Sequence, residues 1–211
     1  MNILLACDKT YYIDWGINCI KSILHFNPWL DVTIILSGVK KVDEIPNVNY
    51  VYDDFNVQTL ENPIPYFQAV RFIKCADLFP NNELVMSIDC DTLCAKSFTE
   101  QEFSSITNSI HVQRHQKADR WMAGLVTYGN SNTFRKEYKE RLLEENPINW
   151  KYGRDQDVLN QLAHKYNFKK LNVGGWMSFG RGSGTFLTLK GDQKVSPGYL
   201  ENYNNILKKI Q

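Results

Sequence analysis

The sequence predicts an α/β fold: a Rossmann-like, mainly parallel central sheet flanked by helices in a single domain. Short apolar runs of strand length alternate with segments whose apolar residues recur at helical spacing, which is the pattern of β-α-β units. No repeat or low-complexity linker divides the chain, and 211 residues suit one α/β domain with a sizeable core.

The first half opens with a strand, a helix and a second strand. Asn2–Cys7 is a short apolar run, and the apolar residues within 13–26 recur at helical spacing. The β-branched run Asp31–Ser37 and the weaker run 48–52 predict two more strands. The glycine-rich phosphate turn of a dinucleotide-binding protein is missing after the first strand.

Residues 84–88 predict the strand that carries the chemistry. This apolar run, interrupted only by Ser87, is typical of a strand buried on both faces, and it ends in Asp89-Cys90-Asp91. Ligands bind beyond the carboxyl ends of strands in an open α/β sheet. Two carboxylates there suit a hard divalent cation, which in turn suits a diphosphate. The alternative is a solvated turn at the end of the strand.

Two further segments hold polar or charged residues that could either bind a ligand or have a purely structural role. In the loop after the first strand, Asp8, Tyr11 and Tyr12 could hold a base or ribose, or could be a helix cap and two half-buried rings. Arg71 lies in an otherwise apolar predicted helix, 66–79, and could bind a ligand or simply extend to the surface.

The second half continues the alternation of helices and strands. Asp155 precedes an apolar helical segment and could be a ligand-binding residue or its cap. The charges of the predicted helix 131–145 indicate a mostly solvated face. The other predicted elements are a short helix at 97–103, strands at 109–113, 125–128, 168–171 and 185–189, a flexible glycine-rich region around Trp176, and a terminal helix, Pro197–Ile210.

Composition narrows the partners and the location. A net charge of +1 gives no basic field for nucleic acid, so no nucleic-acid partner is expected. The five cysteines are odd in number and form no C-x-x-C, which fits a reducing cytoplasm better than a disulfide framework. No long apolar span or leader appears, so we expect a soluble protein without a transmembrane segment.

Four segments, in this order, resemble one family: the retaining glycosyltransferases of the glycogenin and bacterial lipopolysaccharide galactosyltransferase type (glycosyltransferase family 8-like), which have the GT-A fold. Together the segments span positions 4 to about 162. They are Leu4-Leu5-Ala6-Cys7-Asp8-Lys9-Thr10-Tyr11 with its following helix, the Arg71 helix followed by Asp89-Cys90-Asp91, Met122-Ala123-Gly124, and Asp155-Gln156-Asp157-Val158-Leu159-Asn160.

The resemblance implies a role for each matching residue. Asp89 and Asp91 would bind a Mn²⁺ or Mg²⁺ ion that bridges the diphosphate of a UDP-sugar. The catalytic residues would be Gln156, near the anomeric carbon, with Asp155 and Arg71 holding the donor sugar or diphosphate. The implied nucleotide-sugar-binding residues, of which the first three line the uridine pocket, are Ala6, Asp8, Tyr11, Arg71, Asp89, Cys90, Asp91, Ala123, Gly124, Gly191 and Lys194.

The chain departs from the family at two positions. Met122 stands where the family usually has Asn, which affects a contact to a donor or acceptor hydroxyl. Thr188 stands where the family's His-x-x-Gly-x-x-Lys supplies a third metal ligand, although Gly191 and Lys194 match. The third ligand is therefore open between Thr188 and Asp192.

The sequence thus predicts a metal-dependent glycosyltransferase that moves a hexose from a UDP-sugar, with UDP-glucose or UDP-galactose favoured, and retains configuration. The acceptor would be a glycan, a protein or a small molecule. Residues 1–96 would form a nucleotide-binding half and 97–211 an acceptor and donor-sugar half. Two alternatives are a nucleotide-sugar-binding protein without efficient transfer, suggested by Met122 and Thr188, and a metal-dependent nucleotidyltransferase.

Overall fold

A sheet of seven strands forms the centre of the molecule in the computed structural model, which describes residues 1–115, 119–130, 132–171, 175–179, 184–188 and 197–210. A smaller sheet of three strands lies beside it. The strands are β1 (Asn2–Cys7), β2 (Asp31–Ser37), β3 (Val48–Asp53), β4 (Val85–Ile88), β5 (Thr92–Cys94), β6 (His111–His115), β7 (Arg120–Thr127), β8 (Lys169–Lys170), β9 (Met177–Phe179) and β10 (Phe186–Thr188).

The large sheet has the order β3-β2-β1-β4-β7-β6-β8. The first four of these strands run parallel, β7 is antiparallel to both β4 and β6, and β8 returns parallel to β6. Because β1 and β4 are parallel neighbours, their carboxyl ends open at the same edge. The predicted α/β class, with a mainly parallel sheet in one domain, is confirmed.

Helices cover both faces of the sheet. Along β1, Leu4 belongs to the apolar cluster under α3, whereas Ile3 and Leu5 belong to the cluster under α2, as the alternation of side chains in a strand requires. No helix in the described ranges is both long and apolar enough to cross a bilayer. The helices are α1 (Lys9–Tyr11), α2 (Ile17–Phe26), α3 (Ile64–Leu78), α4 (Glu100–Thr107), α5 (Asn132–Leu143), α6 (Arg154–Tyr166) and α7 (Pro197–Ile210).

The small sheet is built from β5, β10 and β9, with β10 antiparallel to β5 and parallel to β9. Its outer side carries Leu93 and Leu187, which pack against Tyr203 and Ile206 of α7. The terminal helix, predicted for Pro197–Ile210, is confirmed with these bounds and closes this side of the molecule.

Several predicted boundaries differ from the observed ones. The first helical segment begins at Lys9 rather than at position 13 and contains a π-helical turn, Tyr12–Gly16. The strands predicted at 109–113 and 125–128 extend towards each other, because β6 reaches His115 and β7 begins at Arg120. The short helix predicted at 97–103 is α4, which a capping box on Thr99 starts three residues later. Much of the glycine-rich region lies outside the described residues.

Candidate active site

A cavity of about 390 Å³ lies where the carboxyl ends of β1 and β4 meet the middle of β7. Helices α3 and α6 form its other walls. Its position at the open edge of parallel strands is the one where α/β sheets bind ligands. The lining residues are Ala6, Cys7, Asp8, Tyr11, Ile64, Phe67, Gln68, Arg71, Asp89, Cys90, Asp91, Ala123, Gly124, Tyr152, Asp155 and Gln156.

Arg71 and Asp89 form an ion pair at the inner end of this cavity. The Nη2 atom of Arg71 lies 2.6 Å from Oδ1 of Asp89, and the guanidinium also donates to the backbone oxygens of Ile88 and Ala123, at 3.3 and 2.9 Å. Arg71 is only 3% exposed. The alternative reading of Arg71 as a surface residue is therefore wrong, and its side chain instead joins α3 to β4 and β7.

The charge of Arg71 is secured by its neighbours. Burial alone would lower the pKa of the guanidinium, but the carboxylates of Asp89 and Asp155 raise it above its ordinary value. Asp155 is 4% exposed and lies in the first turn of α6. It is not the helix cap, because that position belongs to Gly153, whose φ of +86° suits glycine. A buried cation and two carboxylates thus share one end of the cavity.

Tyr11 connects Asp91 to the loop after β1. Its hydroxyl donates to Oδ2 of Asp91 at 2.7 Å, and its backbone N–H donates to Oδ1 of Asp8 at 2.8 Å. Asp8 therefore caps α1 and also lines the cavity, so the role of a helix cap and the role of a ligand-binding residue are compatible. Asp91 is 9% exposed, which rules out the solvated turn. Burial, followed by the charge of Asp91, raises the pKa of Tyr11, so its hydroxyl stays protonated.

Tyr12, predicted together with Tyr11 as a residue that could hold a base or ribose, lies elsewhere. It is buried, its ring belongs to the core on the α2 face, and its hydroxyl contacts the hydroxyl of Tyr50 and the backbone oxygen of Asp43. Adjacent residues of a helical segment point in different directions, so Tyr12 does not lie on the cavity-lining side of Tyr11. The structure assigns Tyr12 to packing.

Small residues of neighbouring strands are joined by hydrogen bonds beside the carboxylates. The backbone N–H of Asp89 donates to the oxygen of Gly124 at 3.0 Å, and the thiol of Cys90 donates to the oxygen of Ala6 at 3.3 Å. A hydrogen bond with Cys90, and then burial, raise the pKa of Cys7. Protonated thiols are weak nucleophiles, so Cys7 forms part of the cavity wall rather than a reactive group.

Two amide side chains in the cavity have buried oxygens that receive no hydrogen bond from the described part of the chain. They are Oε1 of Gln68, on α3, and Oε1 of Gln156, on α6. A buried acceptor without a partner costs free energy, so such an atom in a cavity points to a ligand that donates to it. Sugar hydroxyl groups are donors of this kind.

Five of the lining residues were not predicted: Cys7, Ile64, Phe67, Gln68 and Tyr152. The spacing of Ile64, Phe67 and Gln68 relative to Arg71 could have revealed three of them. Residues that precede Arg71 by seven, four and three positions share its face of a helix. No pattern in the sequence singles out Tyr152.

Other predicted residues lie outside the cavity or outside the described residues. Met122 is buried in β7 and does not line the cavity. Thr188 is buried in β10, opposite Thr92 in the small sheet, and does not line it either. Gly191, Asp192 and Lys194 fall outside the described residues, so their roles stay predictions.

The donor set fits a hard divalent cation incompletely. Asp89 and Asp91 supply carboxylate oxygens, which are the ligands that Mg²⁺ and Mn²⁺ prefer. Within the described ranges no three or more His, Cys, Asp or Glu side chains are grouped as metal ligands. Two carboxylates suit an ion of the Mg²⁺ type, which keeps several waters and takes substrate phosphate oxygens.

Comparison with solved structures identifies the class of fold. The chain resembles the bifunctional glycosyltransferase WbbM, with a TM-score of 0.66, 15% identity and 99% of this chain covered. It also resembles GlyE of Streptococcus pneumoniae TIGR4, with a TM-score of 0.63 and 15% identity over 99% of this chain. The match spans 51% and 63% of the lengths of those two chains.

A third neighbour matches over nearly all of its own length. It is the galactosyltransferase LgtC in complex with donor and acceptor sugar analogues, at a TM-score of 0.65, with 12% identity over 97% of this chain and 96% of that one. The predicted resemblance is confirmed at the level of the fold: the chain has the GT-A fold of these glycosyltransferases. No family model and no curated protein matches the sequence.

Proposed function

We propose that this chain is a metal-dependent glycosyltransferase that transfers a hexose from a UDP-sugar with retention of configuration. One observation carries the proposal. A single cavity is lined by three kinds of group. They are the carboxylates of Asp89 and Asp91 after β4, Tyr11 with Asp8 after β1, and two amide oxygens, of Gln68 and Gln156, that accept no hydrogen bond within the described chain. These are the groups needed for a cation with diphosphate, a nucleoside and a sugar, and the fold is one found in glycosyltransferases.

The diphosphate end of the cavity is proposed to lie at Asp89 and Asp91. These carboxylates would hold a Mn²⁺ or Mg²⁺ ion, which when bound supplies positive charge for the leaving diphosphate. The guanidinium of Arg71 already contacts Asp89, Ile88 and Ala123. We therefore assign it the task of orienting Asp89, rather than gripping the donor directly.

The donor sugar is proposed to bind between α3 and α6. Gln68 and Gln156 offer buried amide oxygens there, and the carboxylate of Asp155 lines the same cavity. Asp155 would accept from the hydroxyls of the sugar. Gln156 would lie beside the anomeric carbon, which is compatible with retention when the acceptor attacks from the face that the UDP leaves, because no protein carboxylate nucleophile is then required. In this reaction the leaving phosphate receives the proton of the attacking hydroxyl.

The nucleoside is proposed to bind at the loop after β1. Asp8 is half-buried and its carboxylate lines the cavity, so it can accept from a base or ribose N–H or O–H group. The ring of Tyr11 offers an aromatic face beside it. Gly191 and Lys194 remain proposed diphosphate ligands by resemblance.

The acceptor is proposed to enter across an apolar rim. Ile64 and Tyr152 line the cavity although they are 51% and 71% exposed. The stacked rings of Tyr66 and Trp150, 6.1 Å apart, hold the start of α3 close to the segment that carries Tyr152. Ile64 precedes Arg71 by seven residues, so the rim lies roughly 10 Å along the helix from the ion pair. An exposed aromatic side chain there suits the apolar face of a sugar ring.

A binding screen tests the proposed donor. Thermal unfolding is measured with UDP-, GDP- and CMP-sugars and with UTP, each with and without Mn²⁺. We expect UDP-glucose or UDP-galactose to raise the midpoint only when Mn²⁺ is present, because ligands that bind the folded state stabilise it. If UTP raised the midpoint of unfolding and none of the nucleotide sugars did, the result would favour a nucleotidyltransferase. Binding of UDP-sugars without product formation would favour a binding protein.

A further inference from the structure

Tyr11 makes two contacts that tie separate parts of the cavity together. Its hydroxyl donates to Oδ2 of Asp91 at 2.7 Å, although the two residues are 80 positions apart in the chain. Its backbone N–H is held by Asp8 at 2.8 Å. The segment after β1 is therefore tied to the carboxylate that follows the neighbouring strand, β4.

The contact leaves the carboxylate suited to a cation. A carboxylate has two oxygens with about four acceptor sites, so Asp91 can accept from a hydroxyl and still coordinate an ion. Hydrogen bonds to a coordinating carboxylate fix its orientation before the ion binds. Tyr11 lines the cavity together with Asp8. A nucleoside that packs on the ring of Tyr11 would hold this side chain in place. The hydroxyl of Tyr11 would then hold Asp91 in place as well.

We propose that Tyr11 is a positioning residue for Asp91 that couples the binding of a nucleoside diphosphate to the binding of a divalent cation. This inference rests on the proposed function, because it assumes that both ligands bind in this cavity. Coupling of this kind is reciprocal: the factor by which the nucleotide strengthens cation binding equals the factor by which the cation strengthens nucleotide binding.

Removing only the hydroxyl isolates this role. Tyr11→Phe keeps the ring and deletes the bond to Asp91. Loss of a hydrogen bond behind a metal ligand typically weakens metal affinity about 10- to 100-fold. We therefore expect Mn²⁺ affinity to fall by about that factor, while the affinity for UDP without metal changes little. The enhancement of Mn²⁺ binding by UDP should also shrink, because the link between the two ligands is cut.

The neighbouring tyrosine provides a matched control. Tyr12→Phe also deletes one hydroxyl, but that hydroxyl contacts Tyr50 and Asp43 and lies outside the cavity lining. Isothermal titration of Mn²⁺ is performed with and without UDP on the wild type and both variants. Thermal unfolding in the absence of ligands confirms that each variant is folded. The control should bind Mn²⁺ and UDP as the wild type does.

Each outcome separates the inference from the function on which it rests. If the wild type binds Mn²⁺ and UDP with mutual enhancement and Tyr11→Phe binds them identically, Tyr11 has no positioning role. Tighter Mn²⁺ binding by Tyr11→Phe would mean that the hydroxyl competes with the cation, which also overturns the inference. If the wild type binds neither ligand, the proposed function fails first, and the coupling fails with it.

Discussion

The guanidinium of Arg71 lies 2.6 Å from a carboxylate oxygen of Asp89, and this ion pair connects the middle of α3 to the end of β4. Arg71 also binds the backbone oxygen of Ala123 in β7. One buried side chain thus holds three elements that form the cavity. The position of Asp89, and with it the proposed cation site, therefore depends on Arg71, which belongs to helix α3 rather than to the strand that precedes Asp89.

Replacing Asp91 should abolish transfer without unfolding the protein. We expect Asp91→Asn to lower kcat/KM about 1000-fold, equivalent to about 4 kcal/mol of transition-state stabilisation, because one charged oxygen ligand is lost. The exposed Asp14, on the nearby π-helical turn, gives the control Asp14→Asn, which should retain full activity. Steady-state kinetics and thermal unfolding measure both effects. Near wild-type turnover in Asp91→Asn would refute the assignment.

The ion pair of Arg71 and Asp89 should be important for stability. Arg71→Met should lower the free energy of unfolding by about 3 kcal/mol. The change removes the guanidinium but keeps the carboxylate of Asp89, whose side chain is only 25% exposed to solvent. Lys139 and Asp77 form an exposed pair at 2.7 Å, and Lys139→Met should cost less than about 1 kcal/mol. Urea denaturation compares the two variants.

A double-mutant cycle then tests whether Arg71 and Asp89 act together. We expect the double variant Arg71→Met with Asp89→Asn to be more stable than the sum of the two single effects predicts, by about 0.5–3 kcal/mol. Each single change leaves the opposite charge of the pair in place, the Asp89 carboxylate in Arg71→Met and the Arg71 guanidinium in Asp89→Asn, whereas the double variant removes both charges. Strict additivity would show that the two residues do not interact energetically.

Gln156 should affect turnover more than donor binding. We expect Gln156→Ala to lower kcat at least tenfold with little change in donor KM, because its amide is proposed to lie beside the reacting carbon. Gln161, exposed on the same helix, supplies the control Gln161→Ala, which should leave both constants unchanged. A change confined to donor KM would place Gln156 on the donor sugar away from the reaction centre.

Tyr152 should determine the affinity for the acceptor. We expect Tyr152→Ala to raise the acceptor KM several-fold and to leave the donor KM unchanged, since its exposed ring lines the mouth of the cavity. Ile148 is 57% exposed and lies outside the cavity lining, so Ile148→Ala provides the control. The assay varies acceptor and donor concentrations separately. An unchanged acceptor KM in Tyr152→Ala would remove the rim from the acceptor site.

The parts of the fold that sequence predicted best are those with strong periodicity. Asn2–Cys7 and Asp31–Ser37 have the predicted bounds, because buried parallel strands appear as runs rich in apolar and β-branched residues. The ordered motifs located Arg71, Asp89 and Asp91 around one cavity, because they lie at the ends and faces of such elements.

Sequence failed where a polar side chain is satisfied by distant backbone. The mostly solvated face predicted from the charges of 131–145 is observed, but Arg135 is an exception that the sequence did not reveal, since it is fully buried in α5. Its guanidinium donates to the backbone oxygens of Phe79, Asn81 and Gly129. Carbonyl oxygens carry no residue-specific signal, so no pattern reveals such a partner. The different roles of Tyr11 and Tyr12 follow from their positions as neighbours in one helical segment, where adjacent side chains point in different directions.

The most direct test of the account is to measure UDP release and product linkage together. The protein is incubated with UDP-glucose or UDP-galactose, with Mn²⁺ or with a chelator, and with a panel of sugar acceptors. Proton NMR follows the first-formed product. We predict UDP release that requires Mn²⁺, is lost in Asp91→Asn, and gives an α-linked product from the α-linked donor. A β-linked first product would contradict retention, and turnover of UTP but of no UDP-sugar would contradict the proposed function.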